Sequence, residues 1–204
     1  MFMIIMQDFQ LTNLIKGSLG AYMALFNTAK RFGSIVKLLH WTIFILVLMQ
    51  YSIMSRRAFL PEDSFDNLWY MLLHKSVGLV TLGVATLMLI SSQFGQRPPD
   101  PEQSPYQNLL AKTVQVALYA CLILMPLGGI LMTAFSGRPL NFFGLALFTA
   151  NAITPNTVLA GFCYAAHIFA AKMLLGLVVL HTLGALYHHI ILKDNVLKRM
   201  WFGC

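Results

Sequence analysis

Charge is scarce in this 204-residue chain: Lys, Arg, Asp and Glu together make up 10% of it, whereas an average soluble domain has roughly 25%. Hydrophobic residues supply 58%, and the mean hydropathy is +0.70. So few polar groups exclude a water-soluble globule and a disordered chain, because both must present polar surface to water. The chain is therefore predicted to be an integral membrane protein.

Several functional signatures are also missing. The net charge of +7 comes without any block of Lys and Arg interleaved with aromatic residues, so no nucleic-acid partner is predicted. The three cysteines, Cys121, Cys163 and Cys204, form no C-x-x-C pair, which argues against a zinc ribbon, a thioredoxin-type pair and covalent haem attachment. No Gly-rich phosphate loop, Ser-His-Asp pattern or acidic pair indicates hydrolysis or phosphoryl transfer, and no catalytic residue is assigned.

Four stretches without a charged residue predict membrane helices. They are residues 38–55, 76–96, 113–137 and 173–192, each 18 to 25 residues long. A bilayer core of about 30 Å needs roughly 20 helical residues, so helices are expected near 36–55, 74–95, 109–134 and 162–190. Prolines and asparagines break residues 139–160 and 96–107 into loops. The predicted fold is all-α, an integral membrane four-helix bundle.

Four spans place both termini on one side of the membrane, and that side holds nine of the fourteen basic residues. This excess predicts cytoplasmic termini. We divide the chain into an N-terminal extension (1–33), a transmembrane domain (34–200) and a C-terminal tail (201–204). Residues 1–30 contain Asp8 and Lys16 and lack a small-residue cleavage site, which disfavours a signal peptide. An interfacial helix and a translation start at Met23 are the two interpretations of this segment.

All six histidines lie in or beside the predicted spans, where polar residues are costly and usually functional. His167 and His181 are 14 residues apart, so on one helix they differ by about 40° in direction and about 21 Å in height. His40 is expected to open helix 1 at the inner side, and His74 to open helix 2 at the outer side. Depth therefore pairs His40 with His181 inside and His74 with His167 outside.

A site of two histidines, with no thiolate or carboxylate at its level, suits neither zinc nor copper, which generally require more ligands. Haem iron needs only two axial protein ligands. We therefore expect two noncovalent haem b groups about 20 Å apart, a spacing that follows from the helix rise. With both axial positions filled, haem iron cannot readily bind oxygen, which favours electron transfer over oxygen activation. The alternative to haem ligation is that the four histidines only pack against neighbouring helices. Glycines would let backbones or a flat macrocycle approach closely; they are Gly78, Gly128, Gly129, Gly176 and Gly184.

The motifs around these histidines resemble the bacterial four-helix di-haem cytochrome b561 family over about residues 31–200. The matching segments are His40-Trp41, Leu73 to Gly78, Ser136-Gly137-Arg138-Pro139 with Phe143-Gly144, and His167-x13-His181 followed by His188-His189-x3-Lys193-Asp194-Asn195-x-Leu197-x-Arg199-Met200. The resemblance implies that His40, His74, His167 and His181 ligate the iron of two haem b groups in a multi-pass protein of the bacterial inner membrane. A well-known member of the family transfers electrons between superoxide and ubiquinone.

Other residues refine this expectation. The family commonly has arginine at Met88 and histidine at Gln115, two positions expected near the inner haem. Lys172 is expected to extend its ammonium group outward, and the alternative is that it attracts an anionic donor or pairs with a haem propionate. Lys75 and Arg138 have the same two interpretations. Basic residues near the outer site would suit an anion such as superoxide; they are Lys75, Arg138 and Lys172. His188 and His189 are interpreted as solvated, with proton delivery to a quinone as the alternative. Trp41 is an interfacial anchor or a ring packed on haem.

Two functions fit these features. The leading hypothesis is a quinone oxidoreductase that takes electrons from an outer donor, such as superoxide, and passes them to a quinone near the inner surface. The alternative is a haem b membrane anchor that carries electrons from a hydrogenase or dehydrogenase partner, which neighbouring genes would reveal. A non-redox transporter fits poorly, because no broken helix or buried carboxylate marks a midplane site. A protein partner or a homodimer is compatible with either function.

Overall fold

The computed structural model describes residues 25, 27, 28, 32–94 and 103–201. Most of the N-terminal extension, with its two interpretations, lies outside the described residues. The helices are α1 (Ser34–Arg57), α2 (Phe65–Ser91), α3 (Pro105–Phe135), α4 (Thr157–Tyr187) and the short α5 (Val196–Arg199). Helices α1 to α4 are long and apolar enough to cross a membrane, α4 together with the π-helical turn His188–Leu192 that follows it. The prediction of a four-helix membrane bundle is confirmed.

Helix α2 begins nine residues before the predicted start, and the physical reason is its N-terminal cap. The Ser64 hydroxyl accepts a hydrogen bond from the Asn67 backbone N–H (3.1 Å), and Asp66 lies in the first turn, where a negative charge is favourable. A charge-free window finds the membrane segment but not the polar turns at the start of a helix. The expectation that His74 opens this helix was wrong, since His74 lies inside it.

The four helices form a bundle with two distinct ends. The termini end carries the start of α1 and the residues after α4, and the hairpin end carries the connection between α3 and α4. Neighbours in sequence pack together, α1 on α2, α2 on α3 and α3 on α4, whereas no Cα of α1 or α2 lies within 8 Å of a Cα of α4. The buried core cluster between the helices is Val36, Ile43, Val47, Ala85, Met88, Cys121, Leu122 and Leu174. Most other large apolar side chains are exposed, as lipid-facing residues are in a membrane bundle.

The connection between α3 and α4, predicted as a loop, contains a β-hairpin. Strands β1 (Leu140–Phe142) and β2 (Leu145–Phe148) pair antiparallel, and the turn between them is Phe143-Gly144, both with positive φ (48° and 96°). The Phe143 N–H donates to the Oγ of fully buried Ser76 (2.9 Å). The hairpin is therefore anchored on α2, close in sequence to His74.

Candidate metal centres

The structure brings the four predicted site histidines together as two pairs. At the hairpin end, the rings of His74 and His167 have centroids 6.0 Å apart. At the termini end, the rings of His40 and His181 have centroids 6.2 Å apart. Both pairs share α4, on which the two positions are separated by about 21 Å along the axis. The pairing is the one expected from depth; the role of these residues as ligands stays a prediction.

The ring separations fit a single metal ion between two imidazoles. An imidazole nitrogen binds a metal ion at about 2.0 Å, and the ring centre lies about 1 Å beyond that nitrogen, so two rings on one ion have centroids about 6 Å apart. Each pair also bridges two helices whose Cα atoms stay more than 8 Å apart, which leaves room between them for a flat group. In the part of the chain that the structure describes, no group of three or more His, Cys, Asp or Glu could hold a metal ion. The residues therefore fit haem iron with two axial ligands better than zinc.

His167 is held by helix α3 in one tautomer. Its Nδ1 lies 2.8 Å from the carbonyl oxygen of Met125, and because that oxygen can only accept a hydrogen bond, Nδ1 carries the proton. Nε2 then keeps its lone pair for a metal, as in other metal-binding histidines whose second nitrogen donates to a carbonyl. Gly129, one turn after Met125, lies against this ring: a Cβ there would be 3.2 Å from the ring Cε1.

The partner ring, His74, has different surroundings. Its Nδ1 is buried without a hydrogen-bond partner among the described residues. Such a nitrogen is expected where a bound group, rather than the protein, provides the partner. The Gln50 side chain of α1 donates to the His74 backbone carbonyl (3.0 Å), and a Cβ at Gly78 would lie 3.1 Å from the Gln50 Nε2. Gln50 therefore ties α1 to α2 beside the ring, at a place where glycine lets it approach.

Glycine supports the site at fewer positions than the sequence suggested. Gly129 and Gly78 are in tight contact, whereas a Cβ at Gly128, Gly176 or Gly184 would have no heavy atom within 4 Å. Spacing along a helix cannot tell a glycine that faces a neighbour from one that faces open space.

A cavity of about 540 Å³ opens at the hairpin end and is rich in charge. Three cationic side chains line it, those of Arg57, Lys75 and Arg138, together with the carboxylates of Glu62 and Asp63. Lys75 follows His74 directly in the sequence, and its Nζ donates to the Pro139 carbonyl of the hairpin connection (3.3 Å). The cavity therefore lies at the same end of the bundle as the His74–His167 pair, and neither histidine lines it.

Lys172 does not belong with these cations. It is exposed on α4 and does not line the cavity. It lies five residues after His167, which turns it about 140° away from that ring on the helix. The exposure of Lys172 agrees with the expectation that its ammonium group extends outward. Lys75 and Arg138 line the cavity, and Lys172 does not.

A second cavity, of about 250 Å³, opens between α3 and α4 at the termini end. His181, Gly184 and His188 line it from the α4 side. Amide side chains line it from the α3 side; they are those of Gln103, Gln107, Asn108 and Gln115. Gln115 therefore lies at the expected end. Met88, three residues before the end of α2, lies at the same end and is buried in the core cluster.

His188 is not simply solvated, as the sequence analysis expected. It is half-buried, and its Nδ1 lies 2.5 Å from the Asp194 carboxylate. Burial alone would raise the pKa of the Asp194 carboxyl, but the hydrogen bond from His188 and that from the Val196 backbone outweigh it and hold this pKa below its usual value. His189, its neighbour, is exposed. Sequence reasoning also missed Gln50 and Met125, because contacts with another helix leave no local pattern.

Four membrane-spanning helices with two imidazole pairs at opposite ends define a class of protein, the membrane cytochromes that hold haem between helices. The chain belongs to the prokaryotic cytochrome b561 family, whose profile matches residues 31–203. It is a multi-pass bacterial membrane protein with a haem b electron-transfer role, as the sequence analysis expected.

Three curated relatives illustrate the family. Cytochrome b561 homolog 2 of Escherichia coli is 31% identical over 182 residues, which cover 87% of this chain and 95% of that protein. A probable superoxide oxidase, CybB of Yersinia pestis, is 33% identical and aligns over 79% of this chain and 90% of its own length. Cytochrome b562 of Cereibacter sphaeroides is 32% identical over 79% of this chain and 89% of its own.

Proposed function

We propose that this protein carries electrons from superoxide at the hairpin end to a quinone at the termini end. His74 and His167 would hold one haem b, and His40 and His181 a second. The observation that carries the proposal is that two imidazole pairs lie at opposite ends of one bundle. Their ring centroids are 6.0 Å apart at the hairpin end and 6.2 Å apart at the termini end. Haem b supplies one-electron chemistry when it is bound, and the chain supplies ligation, spacing and a low-dielectric surrounding.

The hairpin-end cavity supports an anionic donor. Arg57, Lys75 and Arg138 line it, and cations gathered in a cleft raise the local concentration of a small anion and its association rate. Two superoxide ions would each give up one electron and leave as O₂. The relative named a probable superoxide oxidase is consistent with such a donor.

The termini-end cavity supports a quinone as acceptor, because its amide groups are placed to donate. The Gln107 Oε1 already accepts from the Ser104 N–H (3.0 Å), and the Asn108 Oδ1 accepts from the Gln103 Nε2 (2.6 Å). The remaining NH₂ groups of Gln107 and Asn108 can only donate, and quinone carbonyls can only accept.

Quinone reduction consumes two electrons and two protons and yields the quinol. The electrons are those released by the two superoxide ions. Protons can enter from the termini end through His188, since an imidazole can accept a proton at one ring nitrogen and donate one from the other. Asp194 orients the His188 ring through the 2.5 Å contact with Nδ1, much as a carboxylate orients a catalytic histidine.

The first experiment counts haem and measures turnover. Pyridine haemochrome analysis of the purified protein should give two haem b per chain, and proteoliposomes should convert superoxide and a quinone into O₂ and quinol. A protein that binds no haem in haem-replete cells would overturn the proposal. Haem that quinol reduces but superoxide does not would reject the donor and favour a membrane anchor fed by a partner subunit.

Two lysines give a matched test of the superoxide site. Lys75→Gln and Lys172→Gln remove the same charge from the same kind of side chain, one lining the cavity and one exposed on α4. Lys75→Gln should slow haem reduction by superoxide severalfold and flatten its dependence on ionic strength, since exposed charges are screened beyond about 8–10 Å at physiological salt. Lys172→Gln should match the wild type. Equal effects of the two variants would show that the cavity does not receive superoxide.

The quinone site has its own matched pair. Asn108→Leu removes an amide that lines the termini-end cavity, whereas Gln93→Leu removes an exposed amide from the same end that does not line it. Asn108→Leu should raise the KM for quinone severalfold and leave haem reduction by superoxide unchanged. If both variants have the wild-type KM, quinone binds elsewhere.

A further inference from the structure

We infer that the segment after α4 positions His40 opposite His181, an inference that rests on these two residues being the haem ligands of the proposed function. We call residues 193–201 the C-terminal clasp. No Cα of α1 lies within 8 Å of a Cα of α4, so helix packing alone does not set the distance between the two rings. The clasp leaves the end of α4 and binds α1 within one helical turn of His40.

Two hydrogen bonds attach the clasp to α1. The Nζ of Lys37, a side chain only 5% exposed, donates to the Trp201 carbonyl (2.8 Å). The indole N–H of Trp41 donates to the Met200 carbonyl (3.0 Å). Lys37 precedes His40 by three residues and Trp41 follows it directly, so the attachments lie on both sides of His40 in the sequence.

Ring contacts carry the clasp's position to the imidazole itself. The rings of Trp41 and Trp201 meet edge to face with centroids 5.6 Å apart. The Trp41 ring meets the His40 ring in the same manner, also at 5.6 Å. Edge-to-face pairs at this distance have a preferred geometry, so a displacement of the clasp would displace the His40 ring.

The clasp is itself preformed. Lys193 takes the left-handed conformation (φ 54°) and reverses the chain after the π-helical turn. The Asp194 carboxylate then binds in two directions, to Nδ1 of His188 (2.5 Å) and from the Val196 N–H (2.9 Å). These bonds hold the clasp against the end of α4, so its attachment to α1 connects the helices of both termini-end histidines.

A second tie lies deeper in the bundle. The Tyr51 hydroxyl of α1 donates to the Ala171 carbonyl of α4, eleven residues beyond His40 on its helix and ten before His181. Two attachments along a helix pair fix the angle between the axes as well as their separation. The His40–His181 pair lies between these attachments, and the His74–His167 pair does not. Lys37 and Trp41 are therefore positioning residues for the termini-end haem alone.

The test compares Trp41→Phe with Trp69→Phe in the full-length, haem-loaded protein. Trp41→Phe keeps an aromatic ring and removes the N–H that binds the clasp, while Trp69 is half-exposed on α2 near the hairpin end. Lys37→Met is the second variant and breaks the other hydrogen bond. The readouts are redox titration and low-temperature electron paramagnetic resonance, which resolve the two haem components, with haem retention during dialysis against apomyoglobin.

Trp41→Phe and Lys37→Met should each shift the midpoint potential and the resonance of the haem component that His181→Ala removes. Each should also weaken the retention of that haem about tenfold, the usual effect of losing a residue that orients a metal ligand. The other component should be unchanged, and Trp69→Phe should match the wild type in both. If the wild type binds two haems, the inference would be overturned by variants that change both components equally or that change neither. A wild type without haem would instead refute the proposed function.

Discussion

Gly129 is the residue at which one methyl group should weaken the binding of one haem and leave the fold intact. A Cβ at this position would lie 3.2 Å from Cε1 and 3.3 Å from Nδ1 of His167. Ordinary carbon contacts begin at 3.4 Å, so the ring must move by a few tenths of an ångström. The ring is not free to do so without strain, because its Nδ1 donates to the Met125 carbonyl at 2.8 Å. Gly129→Ala should therefore misalign Nε2.

The expected magnitudes separate ligand geometry from stability. Disturbing a residue that orients a metal ligand typically weakens metal binding 10- to 100-fold, and we expect about tenfold, or about 1.4 kcal/mol, for the haem at His74 and His167. Alanine in a helix is about 1 kcal/mol more favourable than glycine, so the polypeptide itself should be as stable as the wild type or more so. The variant should bind one haem more weakly without losing its fold.

The neighbouring glycine is the control. A Cβ at Gly128 would meet no heavy atom within 4 Å, so Gly128→Ala makes the same chemical change without the contact. Haem retention during dialysis against apomyoglobin, redox titration and thermal unfolding in detergent would be measured for both variants. Gly129→Ala should weaken about tenfold the retention of the haem component that His167→Ala removes, and Gly128→Ala should retain both components as the wild type does. Unchanged retention in Gly129→Ala, or equal changes in both variants, would refute the reasoning.

Three further predictions concern other parts of the site. His167→Ala and His181→Ala should each remove a different haem component, because their side chains lie about 21 Å apart on α4; loss of the same component from both would refute the pairing. Ser76→Ala should lower stability by about 1 kcal/mol, seen as a lower Tm, since Ser76 is fully buried and accepts a hairpin N–H; an unchanged Tm would refute that anchor. Burial would raise the pKa of the Asp194 carboxyl, but hydrogen bonds, chiefly that from His188, hold it below its usual value. The clasp should therefore resist proteolysis at neutral pH and become sensitive only as acid protonates Asp194, while Asp194→Asn should be sensitive at every pH. Identical pH profiles of the two proteins would refute the role of this pair.

Much of the architecture could be predicted because a membrane imposes it. Charge-free stretches of about 20 residues must be helical in lipid, where every backbone polar group needs an internal partner. The pairing of His167 with His74 and of His181 with His40 needed only helical rise and direction. Helix starts were less predictable: α2 begins at Phe65 rather than at residue 74 because a polar capped turn precedes its apolar segment.

Contacts between helices were the part that the sequence did not reveal. Gly128 and Gly129 are adjacent and chemically identical, yet only one touches an imidazole. Lys172 and Lys75 both lie near a predicted ligand in the sequence, but only Lys75 lines the charged cavity. The difference depends on how each helix is rotated about its axis relative to its neighbours, which local sequence does not specify.

By itself the sequence determined the membrane bundle, its four spans and the two levels at which histidines meet, because each of these follows from periodicity, length and hydrophobicity along one helix at a time. The family followed from the resemblance of the motifs around the histidines. The tertiary structure decided which atoms hold those histidines. The Met125 carbonyl sets the tautomer of His167, and the clasp attaches α1 to the end of α4 through Lys37 and Trp41. These contacts join residues 42 to 164 positions apart in the chain, and only the packing of whole helices brings such distant residues together.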